Sequence, residues 1–127
     1  MKINDIYKTV TALLEEDGIK IESLYSERCT YLAALFCCKM AETDRDVRES
    51  HGFPSQQAFN EVRLDFNDDF PLVSRFSEPA AYFIASMLLV GKNENESERF
   101  FRLYSDSVNC IKSEAPSTKH KIINVYS

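Results

Sequence analysis

The sequence predicts a mainly α protein, a four-helix bundle-like core with a long irregular excursion between the second and third helices. Three observations carry this. Apolar residues recur at three- and four-residue steps over most of the chain. Only three Gly and four Pro occur in 127 residues, too few for many tight hairpins. Hydrophobic residues make up 44% and aromatics 12%, which supports a packed core and argues against disorder. A chain of 127 residues fits one domain, burying about two thirds of the surface its unfolded form exposes. We place the excursion at about residues 52–76 and a C-terminal tail at 116–127.

The first helix is predicted over Lys2 to Asp17, because Ile3, Ile6, Val10, Leu13 and Leu14 share one face. Gly18 supplies its stop. A second helical pattern begins near Ile21 and carries Tyr25, Cys29, Leu32, Phe36 and Met40 on one stripe. Around "YLAALFCC" nearly every side is apolar, which predicts burial on several faces. Beyond Ala41 the pattern turns polar. There Asp44–Arg48 and Arg45–Glu49 are spaced to pair on an exposed extension ending near His51-Gly52.

Helical periodicity then lapses, and Pro54 and Pro71 interrupt the chain. In "EVRLDF", Val62, Leu64 and Phe66 alternate with Glu61, Arg63 and Asp65, the pattern of a short half-buried strand or one arm of a hairpin. The third helix is predicted from Ser77 as N-cap to just before Gly91, with Glu78 and Pro79 in its first turn. Its centre, "AAYFIASMLLV", is apolar all round yet too short to cross a bilayer, so it reads as the central core helix. A fourth helix follows "GKNENE", with Asn95 and Glu98 as a candidate capping box and Phe100, Leu103, Tyr104, Val108 and Ile111 as its buried stripe. Pro116 ends it. The tail places Ile122, Ile123, Val125 and Tyr126 at the chain end, where they would dock on the body or on a neighbour.

Composition excludes several functions. The formal charge is −5 with no Lys/Arg run, so neither nucleic acid nor an anionic membrane is an expected partner. The start "MKINDIYKTV" lacks the apolar stretch of a signal peptide, which predicts a cytosolic protein. Its four cysteines, Cys29, Cys37, Cys38 and Cys110, are then expected reduced and acting as small hydrophobic core residues.

Asp65, Asn67 and Asp69 alternate as in the first half of a calcium loop, but the sixth and twelfth positions hold Phe70 and Phe76 where Gly and Glu are required. No metal or other cofactor is expected. The histidines are His51, at a helix end, and His120, in the tail; neither lies in a nucleophile motif. A small metal- or thiol-dependent enzyme or sensor using Cys37 or Cys38 with a histidine is the alternative from a different class. No Gly-rich phosphate loop is present, and the reading is non-enzymatic. Expected protein-contact residues are Val62, Leu64, Asp65, Phe66, Asp68 and Asp69 in the excursion, and Ile122, Ile123, Val125 and Tyr126 in the tail. Leu64, Val62 and Phe66 would face the body while the aspartates stay wet.

The order of features carries a resemblance. A short amphipathic first helix precedes "RCTYLAALFCCKMAETDRDVRESHGFP" and the extended "FNEVRLDFNDDFPL". The small-residue helix "EPAAYFIASMLLVGKNENESERFFRLYSDSV" and "CIKSEAPSTKHKIINVY" follow. Together these resemble small proteins of tailed phages and prophages of Gram-positive bacteria, in the head-tail connector (adaptor) class. The pieces most like that class are "FPLVSRF" leading into "EPAAYFIASMLLVGKNE", then "FFRLYSDSV" and "INVY". The resemblance implies a structural subunit that forms a ring or other homo-oligomer and contacts portal or tail proteins, with no catalytic residue. It also implies a location in the bacterial cytoplasm during assembly and in the virion afterwards. The four Cys, two of them adjacent, and the acidic balance depart from that pattern. A helical regulator of a host protein shares the same lack of chemistry.

Overall fold

The computed structural model describes residues 1–55 and 59–114. It contains four α-helices, α1 (Ile3–Glu16), α2 (Tyr25–His51), α3 (Ser77–Leu89) and α4 (Glu94–Glu114), with a 3-10 turn at Ser74–Phe76 leading into α3. The bundle is organised around α3, which packs on α1, α2 and α4 and most extensively on α4. Its all-round apolar sequence follows from that position: Ala80, Ala81, Phe83, Ile84, Ala85, Leu88 and Leu89 are all buried. No described helix is long and apolar enough to cross a membrane.

α1 buries Ile3, Ile6, Val10 and Leu14 as its periodicity predicts, with Leu13 only partly covered. Gly18, at φ 75°, then turns the chain, and the Ile19 N–H returns to the Leu14 carbonyl at 2.9 Å. α2 starts at Tyr25, later than the predicted Ile21, because Ile19 and Ile21 pack against the core from a non-helical segment. It ends at Gly52, whose left-handed φ of 69° lets the Phe53 N–H reach the Arg48 carbonyl at 2.9 Å.

Two caps differ from expectation. Ser77 is already helical, φ −64° and ψ −38°, because the 3-10 turn delivers the chain into α3 with Phe76 fully buried as its anchor. At α4 the capping oxygen belongs to Asn93, whose Oδ1 accepts the Glu96 N–H at 3.2 Å, and not to Asn95. Gly91, at φ 80°, shortens the connection enough to shift the cap two residues earlier.

The α3–α4 hairpin is fastened by a reciprocal serine pair. The Ser86 hydroxyl donates to the Ser97 carbonyl and the Ser97 hydroxyl to the Ser86 carbonyl, each at 2.9 Å and each buried. Small side chains here let the helices approach while every hydroxyl is satisfied. Ser86→Ala is expected to cost about 1 kcal/mol of unfolding free energy, read by urea denaturation. Above this pair, Phe36 of α2, Phe83 of α3 and Tyr104 of α4 form an aromatic triangle with ring centroids 5.2–6.1 Å apart.

The predicted strand or hairpin is absent among the described residues, which show one isolated antiparallel bridge between Lys2 and Asp69. The excursion's backbone finds a different partner, the open end of α1.

Candidate interaction surface

The first N–H groups of a helix have no partner within it. In α1 the excursion supplies partners: Ile3 N–H donates to the Asp68 carbonyl and Asn4 N–H to the Phe66 carbonyl, both at 3.0 Å. The Phe70 N–H closes the set on the Met1 carbonyl at 2.8 Å. Within the loop, Asp68 accepts the Asp65 N–H at 2.8 Å and its own N–H returns to the Asp65 carbonyl at 3.0 Å. "DFNDDF" is thus a tight turn that caps α1, and its negative charge lies at the positive end of the helix dipole. Lys2 pairs with Asp69 at 2.7 Å, which holds the Asp69 carboxyl below the ordinary aspartate range.

A second anchor lies on α2. Asp44 and Arg48 pair at 2.8 Å as their spacing predicts, but they are not on an exposed extension: the side chains retain only 5% and 18% of their exposure. The excursion covers them. Asp44 also accepts the Val73 N–H at 2.8 Å, and Arg48 donates to the carbonyls of Pro54 and Pro71, each at 3.2 Å. One buried ion pair therefore holds both ends of the excursion. Arg45 and Glu49 form no ion pair among the described residues. A third tie joins the Leu64 N–H to the Thr30 carbonyl at 3.1 Å, with Arg63 on the Thr30 hydroxyl at 3.2 Å.

This anchoring sorts the predicted contact residues. Leu64 is buried and Phe66 is half-buried with its ring 5.5 Å from Tyr7, so both face the body as expected. Val62 does not; it is 77% exposed. A continuous strand would have aligned all three, whereas the tie at Leu64 and the turn at Phe66 break the alternation. Asp65, Asp68 and Asp69 are exposed. Ile122, Ile123, Val125 and Tyr126 lie outside the described residues.

Beside Val62 runs a surface that sequence reasoning placed in the core. Tyr31 and Leu35 of α2 are each 46% exposed, and Cys38 continues their face one turn on. Arg63 stands 6.0 Å from the Tyr31 ring centre, and the Cys38 thiol lies 3.9 Å from the Glu61 carbonyl, so Val62 borders this stripe. The all-round apolarity of "YLAALFCC" was the available signal. Among the described residues, neighbours cover only one side of it, and Tyr31 and Leu35 lie on the other. A shallow groove of about 400 Å³ between α3 and α4 adds a further apolar area, with Val90 and Phe101 54% and 49% exposed along it.

Cys29 and Cys37 are core residues as expected, and burial pushes both thiols up to about 12. Cys38 and Cys110 are exposed, a departure that follows from their outward helix positions. His51 closes α2, its Nδ1 3.1 Å from the Val47 carbonyl and its ring stacked on Phe53. Cys38 and His51 lie about 20 Å apart along that helix at its 1.5 Å rise, so they cannot act as a dyad. Among the described residues no three His, Cys, Asp or Glu side chains are grouped to hold a metal. The mixed-charge cavity of about 450 Å³ between Cys38, Arg45 and Phe59 includes the Asp44–Arg48 pair in its wall. We expect two thiols, Cys38 and Cys110, to react with an aromatic disulfide reagent in the folded protein and the other two only on unfolding. Fast reaction of a third would contradict this assignment.

No protein-family model matches the chain, and neither a curated protein nor a solved structure is significantly similar to it.

Proposed function

We propose that the protein is a non-enzymatic assembly subunit of the phage head-tail connector class, acting through contacts with copies of itself and with portal or tail proteins. The observation that carries the reading is the placement of large exposed apolar side chains. Tyr31, Leu35 and Val62 gather beside the anchored excursion, and Val90 and Phe101 flank the α3–α4 groove. Such side chains on otherwise charged helices mark protein-binding surfaces. The resemblance in order of elements supports the class. The chemistry of the surface agrees with it: burial pushes the Cys29 and Cys37 thiols up to about 12, and buried Asp44 with largely buried Arg48 is spent on holding the excursion.

The test mixes the purified chain with the portal assembly and the tail-completion protein of the same genome and follows co-sedimentation. Val90→Glu with Phe101→Glu, at half-exposed positions, is expected to weaken that association at least tenfold while leaving the circular dichroism and thermal midpoint of the chain in place. A chain that binds neither protein overturns the proposal.

A further inference from the structure

The outer face of α2 has a sequence that is complementary to itself. Its exposed seam runs Arg28, Tyr31, Leu35, Cys38, Glu42, at alternating steps of three and four residues that keep all five on one side of the helix. Leu35 is the midpoint. Arg28 lies two turns before it and Glu42 two turns after; neither forms an ion pair among the described residues, and the Arg28 guanidinium donates one long hydrogen bond, 3.4 Å, to the Met87 carbonyl. Between them the seam is apolar, with Tyr31 and Leu35 each 46% exposed and Val62 of the excursion alongside.

A second copy laid antiparallel across this face, with the two-fold axis at Leu35, sets Arg28 against Glu42 of the partner at both ends. Leu35 then meets its symmetry mate, and Tyr31 lies over the partner's Cys38. A parallel arrangement would instead oppose Arg28 to Arg28 and Glu42 to Glu42. Like charges across a helix pair are destabilising, so charge selects the antiparallel form. The pairing is isologous: one patch serves both partners and the association closes at two.

We infer that the free protein forms an antiparallel dimer through the outer face of α2, closed by two Arg28–Glu42 pairs around Leu35. The inference deepens the assembly reading by naming the occupant of one of its surfaces. It does not use the α3–α4 groove, so the dimer and the binding of portal or tail proteins can fail separately. In the dimer the Tyr31–Leu35 face is unavailable to other partners until the pair separates.

Sedimentation equilibrium of the full chain from about 1 μM to about 300 μM reads the association directly. The wild type is expected to move from monomer to dimer without larger species, and Leu35→Glu to remain monomeric with an unchanged thermal midpoint. Arg28→Glu alone and Glu42→Arg alone are each expected to weaken dimerisation at least tenfold, and the double variant to restore most of it. A wild type that stays monomeric throughout overturns the inference, as does a double variant no better than the singles. Portal or tail binding that persists in either case leaves the assembly reading standing.

Discussion

Replacing Asp44 with Ala is expected to lower the unfolding free energy by about 4 kcal/mol, as for other buried pairs broken from one side. The change leaves the largely buried Arg48 guanidinium without its carboxylate and the Val73 N–H without its acceptor. An exposed i,i+4 pair would cost only about 0.3–0.5 kcal/mol, so urea denaturation separates the two descriptions by an order of magnitude. Asp44→Asn keeps an oxygen for Val73 but not the charge and should fall between. Because Arg48 also holds the carbonyls of Pro54 and Pro71, the loss extends to the excursion. Amide exchange at Val73 and Leu64 should rise in Asp44→Ala more than exchange in the middle of α3. A stability loss below about 1 kcal/mol, with unchanged exchange at Val73, would remove Asp44 from its role as anchor.

Phe36→Ala is expected to cost a similar amount, about 4 kcal/mol, by a different mechanism. Phe36 is fully buried, and its ring meets Phe83 at 5.9 Å and Tyr104 at 6.1 Å, joining three helices at one point. Truncation opens a cavity that α3 cannot fill by moving, since it is packed on α1, α2 and α4 together. Phe36→Leu retains much of the volume and should cost about 1.5 kcal/mol or less. Equal losses for the two variants, by the same denaturation measurement, would mean that ring packing is unimportant there.

The parts of this fold legible in the sequence are those set by local periodicity. Ile3, Ile6, Val10 and Leu14 mark α1, and Phe100, Tyr104, Val108 and Ile111 mark α4, because one buried face per helix imposes a 3.6-residue repeat. Stops at Gly18 and Gly52 were legible for the same local reason, a left-handed residue that only glycine adopts easily. What the pattern could not reveal is non-local. Nothing near Asp44 indicates that residues almost thirty positions later will cover it, so its spacing to Arg48 reads as a surface pair. Likewise the alternation of Val62, Leu64 and Phe66 imitates a strand, yet the segment's backbone groups go to the start of α1 and to Thr30. The open face of α2 escaped for the converse reason. An apolar stretch signals that something covers it but not whether the cover belongs to the same chain, and Tyr31 and Leu35 are the residues at which that distinction falls.

The acidic turn has a structural role. It caps α1, and with Asp44 and Arg48 it fixes the excursion against α2, leaving Val62 beside Tyr31 and Leu35 on a supported platform. We propose that this body works through protein contacts. The most direct test is native mass measurement of the wild-type chain mixed with the portal and tail proteins of its own genome. A complex of fixed stoichiometry containing several copies of the chain is expected. A chain recovered only by itself, with neither protein bound at any ratio, would contradict it.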